Sequence, residues 1–169
     1  SRAELEGSIT DFCASKLQNM TTMLGADLQF ACKILQAEMK KNLVRKMLRM
    51  RTLESERGSL PPNDLDNNLE TAIKSALYMA LRHLYNDKDI TANNRELHGA
   101  LFLFIRNYAY SGMFRYNSRG DFNVPYGGIG YNGKSMRKKL DYYQSVPLHR
   151  LFSRTSVFNQ DFEVFLEEN

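Results

Sequence analysis

Apolar residues recur at helical spacing through the first two-thirds of the chain. The first such series ends at Gly25, which together with Asp27 predicts a helix stop and a new N-cap. A second helix is predicted from about Leu28, and Gly58 with the prolines that follow it predicts a break. Residues 63–66 offer caps for a third helix. These patterns predict a mainly α, helical bundle-like domain.

The pattern changes after the third helix. A polar turn over residues 87–94 precedes a run over 97–105 that is apolar nearly all round, which predicts a buried helix. The stretch from Tyr110 to Gly127 then mixes aromatic, arginine and amide side chains with glycine and proline turn formers. It predicts a long structured loop, anchored on the preceding helix, that presents its side chains to a partner.

The C-terminal part has a different character. The glycine-rich stretch 127–133 follows no predicted strand, so it predicts a flexible loop rather than a dinucleotide site. A short basic helix is predicted near residues 135–143. Residues 155–158 predict a short strand, and Asp161 is a candidate cap for a final helix. Since a lone strand is unstable, this strand-helix segment is expected to continue into a sheet elsewhere.

Composition bounds the class of protein. With 169 residues, 43% of them hydrophobic and 25% charged, the chain is expected to be a soluble globular protein. No apolar run approaches the roughly 20 residues that span a bilayer, and the first residues lack the features of a signal peptide. A cytoplasmic location with no membrane partner is therefore predicted. Cys13 and Cys32 occupy apolar helix faces and predict buried, unpaired thiols.

Catalytic and metal sites are not indicated by the sequence. The three histidines, His83, His98 and His149, are far apart and lack metal-ligand spacing. No nucleophile elbow, Walker-type phosphate loop or His-Glu-x-x-His helix occurs. We therefore assign no catalytic residue and no metal ligand.

Positive charge is concentrated in the last third of the chain. The formal net charge is only +4, but nine basic residues and only two acidic residues lie between Arg106 and Arg154. This distribution is typical of a protein that binds a polyanion. Within the same stretch, Arg115 can donate two hydrogen bonds to guanine, Met113 can contact a thymine methyl group, and Tyr110 can stack in place of a displaced base.

The loop also resembles the target-recognition block of the Dam-type (D12 class) DNA N6-adenine methyltransferases, whose pattern is Asn-Gly-x-x-Arg-x-Asn followed by Phe-Asn-Val-Pro-Phe-Gly. Two positions depart from that pattern: Ser111 stands where Asn is usual, and Tyr126 where Phe is usual. The matching positions are Gly112, Arg115, Tyr116, Asn117, Gly120, Phe122, Asn123, Val124, Pro125 and Gly127.

The resemblance implies double-stranded DNA as a partner and assigns roles to residues. It implies that Tyr110 is inserted in the duplex and that the bases are read by Met113, Arg115 and Pro125. It implies backbone contacts from Arg106, Ser111, Arg119 and Lys134. Further candidate DNA contacts are Asn117, Asn123, Tyr126, Lys138 and Lys139. In the same family, the segment corresponding to Asp161 and Phe162 lies beside bound S-adenosylmethionine.

Two motifs of the family are missing from the printed sequence, namely the Phe-x-Gly-x-Gly cofactor loop and the Asp-Pro-Pro-Tyr motif. We therefore expect a target-recognition domain over residues 61–154, with its DNA-reading loop over 106–134. Residues 1–60 are unassigned helices, and 155–169 are expected to lead into an absent catalytic sheet. S-adenosylmethionine is expected to serve the complete enzyme and not this chain alone, with a catalytic subunit or the missing domain as a second partner.

Two alternatives remain open at this stage. A helical protein-interaction module could use the long N-terminal helices as its binding face, and it would show no salt-sensitive affinity for DNA. A non-specific single-stranded nucleic-acid-binding domain could use its tyrosines as stacking platforms. The candidates for that role are Tyr108, Tyr110, Tyr116 and Tyr126.

Overall fold

The computed structural model describes residues 2–24, 29–92 and 94–168. They divide into two compact units, Ser1–Gly133 and Lys134–Asn169. The described residues are mainly helical, with two isolated antiparallel bridges and no strand. This confirms the predicted mainly α class. The predicted stop at Gly25, the cap at Asp27 and the helix start at Leu28 lie outside the described residues, as does the side chain of Cys32.

Five helices make up most of the first unit. They are α1 (Arg2–Leu24), α2 (Gln29–Arg57), α3 (Pro62–Asn86), α4 (Lys88–Thr91) and α5 (Arg95–Tyr108). The predicted caps at 63–66 are wrong, because α3 begins at Pro62 and places those residues inside its first turns. Proline suits this first position, since its missing N–H needs no partner there and its φ is already helical. The predicted polar turn over 87–94 contains the short α4.

Two apolar clusters share α3. The first joins α1, α2 and α3, where the small alanines of α3 allow close approach of the larger side chains. Its buried members are Leu5, Ile9, Cys13, Met39, Leu43, Val44, Ala72, Ala76 and Ala80. Cys13 is a free, buried thiol as predicted, and burial raises its pKa. The second cluster joins α3 and α5 to the loop that follows α5, so this loop belongs to the core.

The helix α5 is only half-buried. Its start is capped by Asn94, whose Oδ1 accepts from the backbone N–H of Leu97 at 2.9 Å. Leu101 and Ile105 are buried, whereas the side chain of Leu103 is 40% exposed. The prediction of a fully buried helix is therefore wrong. Within the first unit, α3 and the following loop cover one face of α5 and leave the other open.

The second unit contains three short helices, α6 (Arg137–Tyr143), α7 (Val146–Phe152) and α8 (Phe162–Glu168). The predicted basic helix corresponds to α6. The predicted cap is confirmed, because Asp161 Oδ1 accepts from the backbone N–H of Glu163 at 2.9 Å. The predicted strand over 155–158 is wrong for the described residues, since none of these four forms a β-bridge and Val157 is 86% exposed.

Packing places a boundary after Gly133. The predicted functional division into residues 1–60, 61–154 and 155–169 stays a prediction. None of the described helices is both long and apolar enough to cross a bilayer.

Candidate DNA interface

The loop over residues 109–133 leaves α5 and folds back beside its own start. Antiparallel bridges join Ala109 to Tyr126 and Tyr116 to Phe122. The backbone N–H of Tyr110 donates to Pro125 O at 2.9 Å. These contacts define an outgoing arm, residues 109–116, and a return arm, residues 122–127, which lie side by side.

A tight turn at the start of the outgoing arm orients its exposed side chains. Ser111 has φ 51° and ψ 19°, Gly112 has φ 63°, and the N–H of Met113 donates to Tyr110 O at 3.0 Å. Two consecutive central residues with positive φ are the signature of a type I′ turn. The flanking side chains of Tyr110 and Met113 are 53% and 40% exposed.

A second turn, between the two arms, is organised by Asn117. Its Oδ1 accepts from the backbone N–H groups of Arg119 and Asp121, both at 2.9 Å. Its Nδ2 donates to Asp121 Oδ2 at 3.1 Å. Gly120 takes φ 81°, a conformation that favours glycine. Arg119 Nε lies 3.5 Å from Asp121 Oδ2, and the Arg119 side chain is 82% exposed.

The return arm alternates between buried and outward-facing residues. Phe122, Val124 and Tyr126 are buried, while Asn123 and Pro125 lie on the opposite side. On that outward side, Arg115 Nε donates to Asn123 Oδ1 at 2.8 Å. The guanidinium of Arg115 is thus held by the neighbouring arm while the residue remains exposed.

One face of α3 holds the return arm. Tyr78 Oη and Arg82 Nη1 both donate to Val124 O at 2.9 Å. Asn86 makes a reciprocal pair with Phe122: its Oδ1 accepts from the backbone N–H at 2.8 Å and its Nδ2 donates to the carbonyl at 3.0 Å. The three α3 residues are four apart in sequence and therefore lie along one face of the helix. They bond backbone groups of Phe122 and Val124 that the outgoing arm does not bond.

Phenol groups tie the outgoing arm to the same helix. The hydroxyls of Tyr85 and Tyr116 lie 2.9 Å apart. Burial, and then the hydrogen bond with Tyr116, raise the pKa of Tyr85 well above its usual range. Burial also raises the pKa of Tyr78 to about 12. Both phenols of α3 are therefore harder to ionise than an exposed tyrosine.

The end of the loop is anchored on the first half of α3. Asn132 Nδ2 donates to Asn67 O at 3.1 Å and to Thr71 Oγ1 at 3.0 Å, and Lys74 Nζ donates to Asn132 O. A Cβ at Gly127 would lie 2.4 Å from the Tyr131 ring, so the backbone and the ring approach too closely for any side chain there. The prediction of a flexible loop over 127–133 is therefore wrong.

The Phe114 ring on the outgoing arm contacts Arg106, a predicted contact to the DNA backbone. Phe114 is 53% exposed, yet its ring contacts Phe102 and Tyr116 edge-on at 5.8 and 5.2 Å between centroids. The guanidinium of Arg106 lies 5.8 Å from the centroid of the Phe114 ring. Arg106 is exposed and is oriented by this ring.

The structure leaves seven of the ten predicted DNA contacts of the first unit exposed. They are Arg106, Tyr110, Ser111, Met113, Arg115, Arg119 and Pro125. Two predicted contacts are less accessible than these: Asn117 is half-buried and shapes its turn, and Tyr126 is 8% exposed with its ring against Tyr78 and Tyr131. In the second unit, Lys134, Lys138 and Lys139 are exposed. Partial desolvation and then Lys139 lower the pKa of Lys134.

A family model of the D12 class N6 adenine-specific DNA methyltransferases matches residues 13–169. The chain belongs to this family. The match confirms the resemblance that the loop indicated, and it extends from residue 13 onward into the N-terminal helices that the sequence left unassigned.

Similar curated proteins include two bacterial DNA adenine methylases. The one from Salmonella typhimurium is 39% identical over 54 residues, which are 32% of this chain and 18% of the relative. The one from Escherichia coli (strain K12) is 59% identical over 27 residues, which are 16% of this chain and 10% of the relative. The matched part of the chain therefore spans less than a fifth of the length of these relatives. No solved structure matches the chain significantly.

Membership of this methyltransferase family implies S-adenosylmethionine as the cofactor of the full enzyme. The candidate cofactor contacts in this chain are Asp161 and Phe162. The Asp161 carboxylate caps α8, and the Phe162 side chain is 69% exposed. The described residues of the second unit leave this ring open and do not by themselves enclose a nucleoside there. We assign no step of the reaction to these two residues.

The α3 residues that hold the loop, Tyr78, Arg82 and Asn86, did not emerge from the sequence. In the sequence they occupy a helix whose polar positions are ordinary surface positions. The available signal is a series of hydrogen-bonding side chains at a spacing of four on a helix that is otherwise rich in alanine and leucine.

Proposed function

We propose that this chain docks on duplex DNA and selects the sequence for an adenine-N6 methyltransferase. The complete enzyme would transfer the methyl group of S-adenosylmethionine to an adenine that has been flipped out of the stack. Docking and sequence choice are the share assigned to this chain. Methyl transfer is assigned to the complete enzyme, with a catalytic domain or subunit as its partner.

The observation that carries the proposal is the braced arginine at the outward side of the loop. The bond from Arg115 Nε to Asn123 Oδ1 leaves both terminal nitrogens of the guanidinium available as a planar pair of donors. Such a pair matches the O6 and N7 acceptors of guanine in the major groove. A preorganised donor pair loses less conformational entropy on binding than a free arginine does.

Neighbouring side chains support the same role. Met113 offers an apolar contact for a thymine methyl, and Tyr110 offers an exposed ring that can fill the space of a displaced base. Arg106 and Arg119 add exposed positive charge on the same loop region, and Lys134, Lys138 and Lys139 add charge in the second unit. These cations are proposed phosphate contacts. For Asn117 and Tyr126 we propose a structural role instead, because their side chains serve the loop itself.

Two of the tyrosines that the single-stranded alternative requires have internal partners. Tyr126 is buried, and the hydroxyl of Tyr116 is bonded to Tyr85. Extended stacking on four rings is therefore not supported by their placement. The protein-interaction alternative has no comparable observation in its favour, since the family that matches the chain is one of DNA methyltransferases.

The test is a binding titration with duplex and single-stranded oligonucleotides at two salt concentrations. Selection from a randomised duplex library first defines a preferred site, and a scrambled duplex serves as the control. We expect salt-sensitive binding that favours the preferred duplex. Equal affinity for single strands would support the single-stranded alternative, and absence of salt-sensitive binding would support the protein-interaction alternative.

A further inference from the structure

A second candidate site lies beside the loop within the first unit. It is a cleft of about 470 Å³ between α4, the start of α5 and the outgoing arm. Side chains that line it include Lys88, Arg95, His98 and the phenols Tyr85 and Tyr116. Gly120, from the turn between the two arms, also lines the cleft and adds no side chain to it. The cleft is therefore continuous with the loop that carries Arg115.

The cleft is positively charged. Lys88 and Arg95 are exposed, and neither pairs with a carboxylate within the part of the chain that the structure describes. Asp87, Asp89 and Glu96 lie in the same segments of the chain but do not line the cleft. An anion that enters would thus contact two cations directly, while the nearest carboxylates act on it only from farther away.

The floor of the cleft is rigid and polar. The His98 ring lies flat on the Tyr85 ring, with centroids 4.7 Å apart and an interplanar angle of 7°. Tyr85 and Tyr116 share one hydrogen bond between their hydroxyls. Because each hydroxyl has one proton and only one proton is used in that bond, the pair retains one donor for a ligand. Cations around a fixed hydroxyl donor suit a phosphate oxygen.

We propose that this cleft binds a backbone phosphate of the DNA, next to the base pairs that the loop contacts. The inference rests on the proposed function, because the phosphate belongs to the duplex that the loop would read. It adds a site that fixes the position of the loop along the DNA without reading its sequence. Arg95 and Lys88 neutralise the phosphate, and the phenol pair donates to it.

The experiment reverses the charge of the cleft in the full 169-residue chain with Arg95→Glu and, separately, Lys88→Glu. Each residue is the first of its helix, where an acidic side chain interacts favourably with the helix dipole, so the fold should be retained. Arg51→Glu is the matched control, since it makes the same change in net charge at an exposed position of α2 that does not line the cleft. Circular dichroism checks folding of all three.

Affinity is measured for the preferred and the scrambled duplex over a range of salt. Arg95→Glu should lower the affinity for both duplexes by about tenfold or more relative to Arg51→Glu. It should also make the log-log salt slope shallower by about one unit. Ethylation of backbone phosphates should locate one phosphate whose modification weakens DNA binding by the parent chain but not by the Arg95→Glu variant.

Four results would overturn the inference. If the cleft variants bind DNA as tightly as Arg51→Glu does, the cleft holds no phosphate. DNA binding by the parent chain would then still support the proposed function. Loss on the preferred duplex alone would make Arg95 a base contact instead. Absence of DNA binding by the parent chain would remove the proposed function together with the cleft. Adenosine monophosphate that competes at micromolar concentration would identify a free nucleotide as the ligand of the cleft.

Discussion

The orientation of Arg115 depends on one neighbouring amide. Asn123 Oδ1 accepts from Arg115 Nε, and the backbone N–H of Asn123 donates to Arg115 O at 3.2 Å. The carboxylate of Asp121 pairs with Arg119 and not with Arg115. Arg115 therefore keeps its full charge available to a ligand.

Replacement of Arg115 should remove sequence discrimination rather than general affinity. Arg115→Ala should cost about 1 to 3 kcal/mol of binding free energy on the preferred duplex and much less on a scrambled one. Arg115→Lys should recover only part of this, because an ammonium lacks the planar pair of donors. Binding curves on both duplexes measure the effect. Equal losses on the two duplexes would make Arg115 a phosphate contact or a structural brace.

Ser111 adopts a backbone conformation that is unfavourable for serine. As a non-glycine residue at φ 51°, it occupies the left-handed region, which asparagine tolerates better than serine. We predict that Ser111→Asn stabilises the turn and raises the free energy of unfolding by about 0.5 to 1 kcal/mol. Chemical denaturation provides the measurement. Ser118→Asn is the control, and an equal gain there would contradict the turn as the cause.

The buried phenol of Tyr78 makes stability depend on alkaline pH. An unfolded tyrosine loses its proton near pH 10, whereas the folded-state pKa of Tyr78 is raised to about 12 by burial. Its contribution is complete below pH 10 and is lost as the pH rises from 10 to 12. The expected loss is up to about 2 to 3 kcal/mol of unfolding free energy.

Tyr78→Phe checks that assignment. Arg82 continues to donate to Val124 O, so the carbonyl keeps a partner and the variant should fold. Denaturant titrations between pH 8 and 12 should show a shallower decline for Tyr78→Phe than for the parent chain. Identical declines would mean that other buried tyrosines, such as Tyr85, control the alkaline transition.

At the scale of elements, α3 connects the helical bundle to the loop. Its alanines Ala72, Ala76 and Ala80 pack against α1 and α2. Its hydrogen-bonding residues Tyr78, Arg82 and Asn86 hold the return arm on another face. The loop therefore inherits its position from the helix and needs no sheet of its own.

Substitution of Asn86 should lower stability more than substitution of the other two residues, because its amide bonds both backbone groups of Phe122. Asn86→Ala leaves a buried N–H and carbonyl without their partners and should lower the free energy of unfolding by about 1 to 3 kcal/mol. The displaced return arm should also loosen Arg115 through Asn123 and reduce discrimination between the preferred and scrambled duplexes.

Asn67→Ala is the matched control on the same helix. The Asn67 residue is exposed, and its backbone carbonyl, which accepts from Asn132, remains in the variant. Thermal denaturation and the two binding curves are compared for both variants. A loss of stability in Asn86→Ala with unchanged discrimination would limit Asn86 to folding.

At the scale of the whole molecule, the uneven charge predicts the salt dependence of DNA binding. Nine basic residues against two acidic ones between Arg106 and Arg154 are compatible with contacts to about four to six phosphates, which give a log-log salt slope of about −4 to −5. The double change Lys138→Ala and Lys139→Ala should lower affinity similarly for every sequence and flatten the slope. A slope near zero for the parent chain would contradict a polyanion partner.

Helix class and the position of the loop followed from local patterns. Apolar spacing determined where α1, α2 and α3 lie, because a helix must bury one face. Glycine and proline determined that the chain after α5 turns. The same local rules failed at residues 155–158, where strand-forming side chains have no described strand to pair with, and over 127–133, where hydrogen bonds to α3 hold a glycine-rich segment.

By itself, the sequence determined the family, the helical class, the charged third of the chain and the position of the loop. Each of these is a property of neighbouring residues or of composition. Only the tertiary structure decided that Asn123 orients Arg115, that Asn86 holds Phe122 and that Tyr126 is buried. The contact between Asn86 and Phe122 joins positions 36 residues apart, and no local periodicity encodes such a distance. Hydrogen bonds of that kind arise because the return arm must find partners for its backbone wherever the packed helices supply them.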